Sequence, residues 1–294
     1  MRLCRFSVDD LPPRPGLVDG DYVLDLSDAC AGVSGALIDP VGVWDQLKVR
    51  LAGIRGKAAR HLLVEVKLHA PVVRPGKILA IGLNYADHCV ESGLAIPQQQ
   101  TWFSKASSSV NGPFDSIELP WVSEQLDHEC ELVVVIGRRC RDVPRERARE
   151  VTFGYCVGND VSVRDWQLMT PQWVIGKSFD THAPIGPWIT TSDEVDPGAL
   201  AIRCLVNGEI RQQSNTRHLV FDVGAQIEHL TKAMTLEAGD LLFTGTCAGV
   251  GGARQPPRWL RAGDRVRVEI EQLGAIENTV VPRMRATQIA DAAG

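Results

Sequence analysis

Two carboxylates one residue apart stand at the head of an aliphatic run, Asp127-His128-Glu129-Cys130-Glu131 followed by Leu132-Val133-Val134-Val135-Ile136. The β-branched run predicts a strand buried on both faces. Side chains alternate across a strand, so Glu129 and Glu131 point the same way. Carboxylates held that close repel each other, and near a core each also carries a desolvation cost. A hard divalent cation such as Mg²⁺ or Mn²⁺ would neutralise them through oxygen ligands. Gly154-Tyr155-Cys156-Val157-Gly158-Asn159 leads to a third carboxylate, Asp160, at the end of another strand-like run. The competing explanation is an exposed strand start whose glutamates pair with Arg138 and Arg139.

Other reactive side chains are spaced for chemistry as well. His88 and Glu91 lie three apart in a segment that reads as a helix or helical turn, so they share a face. A carboxylate beside an imidazole fixes its tautomer and raises its basicity, the logic of a general base; a surface pair without a role has the same spacing. Lys105 follows two aromatics and precedes a serine-rich loop, which suits an anion or a solvated lysine equally. Arg164 and Gln167 share a helical face beyond Asp160, and Lys177 follows a short apolar strand and Gly176. The glycine-rich stretch 245–252 has neither the phosphate-loop nor the dinucleotide spacing. It suits close backbone approach to a small anionic ligand, with Thr246 as a hydroxyl donor, or a simple bend between strands.

These residues need a scaffold. At 294 residues the chain can bury a sizeable core in one large domain or two. Its 44% hydrophobic and 23% charged residues fit a soluble globular protein, and a net charge of -5 argues against nucleic acid as a partner. The cysteines form no C-x-x-C pair, and Cys130, Cys156 and Cys204 lie in apolar runs, so reduced thiols and a cytoplasmic location are expected. Met1 to Ser7 lacks the apolar block of a signal peptide, and no apolar run approaches the length of a membrane span.

Residues 1–70 read as a small N-terminal α/β module with a hairpin around Asp19-Gly20 and a helix from Val43 to Val64, its face formed by Trp44, Leu47, Leu51 and Ile54. Residues 71–294 then read as a second, larger domain that carries all the candidate site residues. Lys77 to Gly82 is a buried strand that delivers His88. Residues 93–100 are polar and loose enough to act as a lid. A short helix follows Pro144, and Pro184 to Trp188 forms a rigid turn. Asn207-Gly208 marks a hairpin, Val220 to Met234 an amphipathic helix, and two strands close the chain.

In sequence order, several segments resemble the fumarylacetoacetate hydrolase family. They are Gly82-Leu83-Asn84-Tyr85 with His88 and Glu91, Phe103-x-Lys105, Asp127-x-Glu129-x-Glu131-Leu132, and Asn159-Asp160-Val161-Ser162-x-Arg164-Asp165-x-Gln167. Gly176-Lys177-Ser178-Phe179-Asp180-Thr181, Thr244-Gly245-Thr246 and Gly249-Val250-Gly251 complete the set. The N-terminal module resembles the extension on many bacterial members. The resemblance implies an α+β, β-rich fold, a mixed β-sandwich roll, usually a homodimer. It also implies Mg²⁺ or Mn²⁺ held by Glu129, Glu131 and Asp160.

Two positions depart from the family pattern. Ile81 stands where fumarylacetoacetate hydrolases place a fourth, aspartate ligand, and Cys247 stands where the family carries proline in its ligand loop. The implied reaction is cleavage of the C–C bond of a 2,4-diketo acid. Chelation through the carboxylate and keto oxygens withdraws electrons from C3, and His88, oriented by Glu91, activates water. Lys177 and Lys105 would stabilise negative charge while Arg164, Gln167 and Thr246 orient the substrate. Decarboxylation of oxaloacetate and isomerisation of a dienoate draw on the same chemistry. A metal-stabilised binding protein without turnover is a further alternative.

Overall fold

The computed structural model describes residues 1–35, 39–54 and 56–286, apart from the side chains of Ala52 and Ile54. The strand Cys130–Ile136 runs through the middle of a twelve-stranded mixed sheet and is buried along its whole length. It pairs antiparallel with Thr152–Asn159 on one side and Leu241–Thr246 on the other. Ile78–Gly82 and Thr101–Lys105 extend the sheet beyond Leu241–Thr246. A five-stranded sheet, built around the hairpin of Ala201–Val206 and Glu209–Asn215, packs against it. The fold is thus the β-rich, mixed-sheet sandwich expected.

The period of two in the central strand explains why it is apolar throughout. Leu132, Val134 and Ile136 pack into the core shared with Ile202, Val266, Val268 and Ile276 of the smaller sheet. Val133 and Val135 face the opposite core with Leu3, Leu17, Leu24 and Leu47. Neither face meets water, so no polar residue is tolerated after Glu131.

The N-terminal strands are not separate from this sheet. Arg2–Ser7 pairs with Ala183–Thr191, and the hairpin Arg14–Asp19/Tyr22–Asp25 adds to its outer edge. Lys67–His69 pairs back onto Arg2–Ser7, eight residues before Lys77.

Several local expectations need correction. The helix predicted over 43–64 spans only Trp44–Ile54, and the chain then enters the edge strand Arg60–Leu62. Gly53 and Gly56 weaken helix at that point, and Val64 is exposed. The side chain of Ile54, expected on the apolar face, lies outside the described residues. Pro184 to Trp188 lies inside the strand Ala183–Thr191 rather than forming a turn. The residues before Lys177 form a turn instead of a strand. Arg145–Arg147 is a 3₁₀ turn leading into the short helix Ala148–Val151. The hairpin at Asn207-Gly208 forms with both residues at positive φ, as that dipeptide requires. No disulfide joins the described cysteines, and no described helix is long and apolar enough to cross a membrane.

Candidate active site

Strand pairing assembles the carboxylates. Cys130 pairs with Asn159, which sets Asp160 beside Glu129, and the Asp160 N–H donates to the Glu129 carbonyl at 2.9 Å. Glu129, Glu131 and Asp160 are all buried, and one carboxylate oxygen from each lies within 4.8 Å of the others. Glu129 and Glu131 are only 5% and 1% exposed, which removes the surface explanation; Arg139 instead pairs with Glu237.

The charges around them do not balance. Lys177 Nζ donates to Glu129 Oε2 and Asp160 Oδ2, each at 2.7 Å. Arg164 reaches Glu129 at 2.6 Å and Asp127 at 2.9 Å, and Lys105 reaches Asp160 at 2.7 Å. Glu131 makes no ion pair among the described residues and accepts only the Gly245 N–H, at 2.7 Å. Burial, together with Asp160 and Glu129, pushes its carboxyl well above the ordinary range. Burial also opposes the charge on Glu129, but Lys177 and Arg164 hold that carboxyl low. Three close oxygens with one uncompensated carboxylate fit a divalent, oxygen-preferring cation. Ile81 lines the same pocket and offers no ligand atom.

His88 and Glu91 meet as their spacing predicts. His88 and Glu91 lie on the short helix Ala86–Glu91, with His88 Nδ1 2.8 Å from Glu91 Oε1. Glu91 Oε2 accepts the Gly249 N–H at 2.8 Å. Gly249 has φ +109°, and a Cβ there would fall 2.0 Å from the Arg211 carbonyl oxygen, so only glycine presents that N–H. With Nδ1 committed, Nε2 is the nitrogen His88 has left for chemistry, and the residue lines the pocket.

The other singled-out residues divide. Arg164, Gln167, Lys177 and Thr246 line the pocket with Glu129. Burial opposes the Lys177 charge, yet Asp160 and Glu129 raise its pKa above the ordinary lysine value. Lys105 is absent from that wall; its ammonium is buried behind Asp160 and also donates to the Val161 and Lys177 carbonyls. It braces a carboxylate rather than meeting a ligand. The Thr246 hydroxyl donates to the Cys130 carbonyl at 3.0 Å and accepts from Gln212 at 2.8 Å, so its proton is already used. Cys247 is fully buried with its Sγ 3.8 Å from Cys130 Sγ and does not line the pocket. Residues 95–100 form no helix or strand.

Two further residues organise the site. Asp127 is fully buried and accepts from Arg164 and from the N–H groups of His128, Gly251 and Gly252 at 2.7–2.9 Å. It shares the alternation of Glu129 and Glu131, which is the sequence signal for it. Gln212 accepts from the Cys130 N–H at 3.0 Å and donates to Thr246 and the Cys247 carbonyl at 2.8 Å. It lies in a polar strand and carries no such signal.

Residues 77–281 match the family described as fumarylacetoacetate hydrolase, C-terminal. The chain is 41% identical over 96% of its length to the mitochondrial oxaloacetate tautomerase fahd2 of Xenopus laevis, covering 90% of that protein. It resembles the structure of maleylpyruvate hydrolase from Sphingobium sp. SYK-6 in complex with manganese (II) ion and pyruvate. That match has a TM-score of 0.81 and 35% identity, over 97% of this chain and 100% of that one. A 5-carboxymethyl-2-hydroxymuconate delta-isomerase from Mycobacterium smegmatis matches with a TM-score of 0.78 and 34% identity, over 97% and 100% of the two chains.

Proposed function

The chain belongs to the fumarylacetoacetate hydrolase family, and we propose that it is a divalent-metal-dependent hydrolase of 2,4-diketo acids. The reaction is R–CO–CH₂–CO–COO⁻ + H₂O → R–COO⁻ + H⁺ + CH₃–CO–COO⁻. The observation that carries this reading is the sharing of one pocket by an oriented imidazole, His88, and the carboxylate cluster entered through Glu129. Glu129, Glu131 and Asp160 would hold a divalent ion, which would supply positive charge to stabilise the enolate of a 2-oxo acid. His88 Nε2 removes a proton from water as the oxygen attacks C4, and Glu91 steadies the imidazolium. The C3–C4 bond breaks, and C3 of the pyruvate fragment takes up the proton. Lys177, Arg164 and Gln167 orient the acid head.

Proton transfer at C3 of oxaloacetate is the second reading, favoured by the 41% identity to the Xenopus laevis tautomerase. It needs a base but no water. The two separate in one assay. The enzyme is loaded with Mg²⁺ or Mn²⁺ and the ultraviolet absorbance of an acylpyruvate and of enol-oxaloacetate is followed, with and without chelator. Chelator-sensitive loss of the acylpyruvate, reduced by about 10²–10⁴ in His88→Ala, is the expected result. Turnover of oxaloacetate alone would replace hydrolysis by the second reading. A homodimer in the cytoplasm completes the proposal; light scattering on the purified protein tests its oligomeric state.

A further inference from the structure

The cavity beside the carboxylates reaches well past them. It encloses about 460 Å³, within the ~300–1,000 Å³ typical of sites that enclose ligands far larger than a bare 2-oxo acid. Beside the uncharged polar Ser92, Gln125 and Gln167, its wall carries the apolar Leu94, Phe103, Leu168, Trp173, Val250 and Trp259. The two tryptophans are seated against glycines. A Cβ on Gly82 would fall 2.6 Å from the Trp173 ring, and one on Gly252 would fall 3.2 Å from the Trp259 ring. Phe103 supports Trp173, with ring centroids 5.4 Å apart.

The two full cations on this wall, Arg164 and Lys177, both face carboxylates. Arg164 is ion-paired with Asp127 and Glu129, and Lys177 with Glu129 and Asp160. Among the described lining residues there is no other lysine or arginine. A second carboxylate at the far end of a substrate would shed water and meet no unpaired cation, an unfavourable exchange. An alkyl or aryl group there would gain from leaving water.

Resting on the metal-assisted reading above, we infer that the substrate tail R is uncharged, an alkyl or aryl group lodged between Trp173 and Trp259. Those two side chains then set specificity, while the carboxylate cluster sets the chemistry. The site distinguishes substrates by what lies beyond C4, and dicarboxylic acids are its poor ligands.

Binding rather than turnover tests this. Titration calorimetry and tryptophan fluorescence on the Mg²⁺-loaded protein compare oxalate, 2-oxoglutarate, 2-oxohexanoate and 4-phenyl-2-oxobutanoate. The expected result is oxalate binding, with the two uncharged-tail acids at least about tenfold tighter than 2-oxoglutarate. Trp259→Ala should cut that preference by about tenfold relative to its effect on oxalate. Oxalate binding with 2-oxoglutarate equal to or tighter than the uncharged acids overturns the inference and leaves the proposed function standing. No oxalate binding in the presence of Mg²⁺ removes both. The wild-type ratios decide the matter even if the variant folds poorly.

Discussion

Glu131 carries opposite consequences for the protein with and without metal. It is 1% exposed, makes no ion pair among the described residues, and faces Glu129 and Asp160. Glu131→Gln keeps an acceptor for the Gly245 N–H and turns an amide donor toward those carboxylates. Without metal the variant should therefore be more stable than wild type at neutral pH. The gain should be about 2 kcal/mol, because at neutral pH the wild-type carboxyl, raised well above its ordinary range, must take up a proton on folding. In a chain of this size that raises Tm by about 4 °C. With Mg²⁺ at a hundred times its dissociation constant, wild type gains about 2.7 kcal/mol, or roughly 5 °C. The variant, lacking one charged ligand, should gain almost nothing. Calorimetric scans of chelator-treated protein, repeated after adding Mg²⁺, measure all four values. A metal-free variant no more stable than wild type would refute the charge imbalance. An undiminished Mg²⁺ shift in the variant would refute the ligand assignment.

Two other perturbations read separate parts of the site. Asp127→Asn should cost about 3 kcal/mol by withdrawing a buried carboxylate from Arg164; it should also speed hydrogen exchange at 251–252, and unchanged urea midpoints and exchange would discount Asp127 as an organiser. Burial, only partly offset by the hydrogen bond to the Glu118 carbonyl, lowers the pKa of His182 to about 3. The unfolded chain therefore takes up this proton first, and stability is lost as pH falls below ~6.5 toward the folded value. From pH 7 to pH 5 the loss from this group is about 2 kcal/mol; His182→Gln should flatten that slope in urea melts, and parallel slopes would contradict the reading.

The parts of the site legible in the sequence were those set by backbone periodicity. Glu129 and Glu131 alternate with an aliphatic strand, and His88 and Glu91 share one helical turn, so their neighbours followed from local geometry. Asp160 joined them because a strand pair brings its end to theirs. Lys105, Thr246 and Cys247 were harder to place, because side-chain direction at a strand end depends on what packs behind it. Lys105 turns inward to Asp160, and Thr246 spends its proton on a neighbouring strand. The Pro184 to Trp188 segment misled because its prolines suggest a turn, whereas sheet pairing through Tyr155-Thr190 and Gly158-Ile185 holds it extended. The two tryptophans that line the pocket and Gln212 behind it come from distant segments, and only tertiary packing brings them together.

Glu91 is gripped at both oxygens, by His88 on its own helix and by Gly249 across the pocket. Any motion that lifts residues 86–91 off the glycine loop breaks the second grip and loosens the first. Under the proposed hydrolysis, such a motion would leave His88 less firmly steadied for proton removal, so one carboxylate would tie reactivity to a closed pocket.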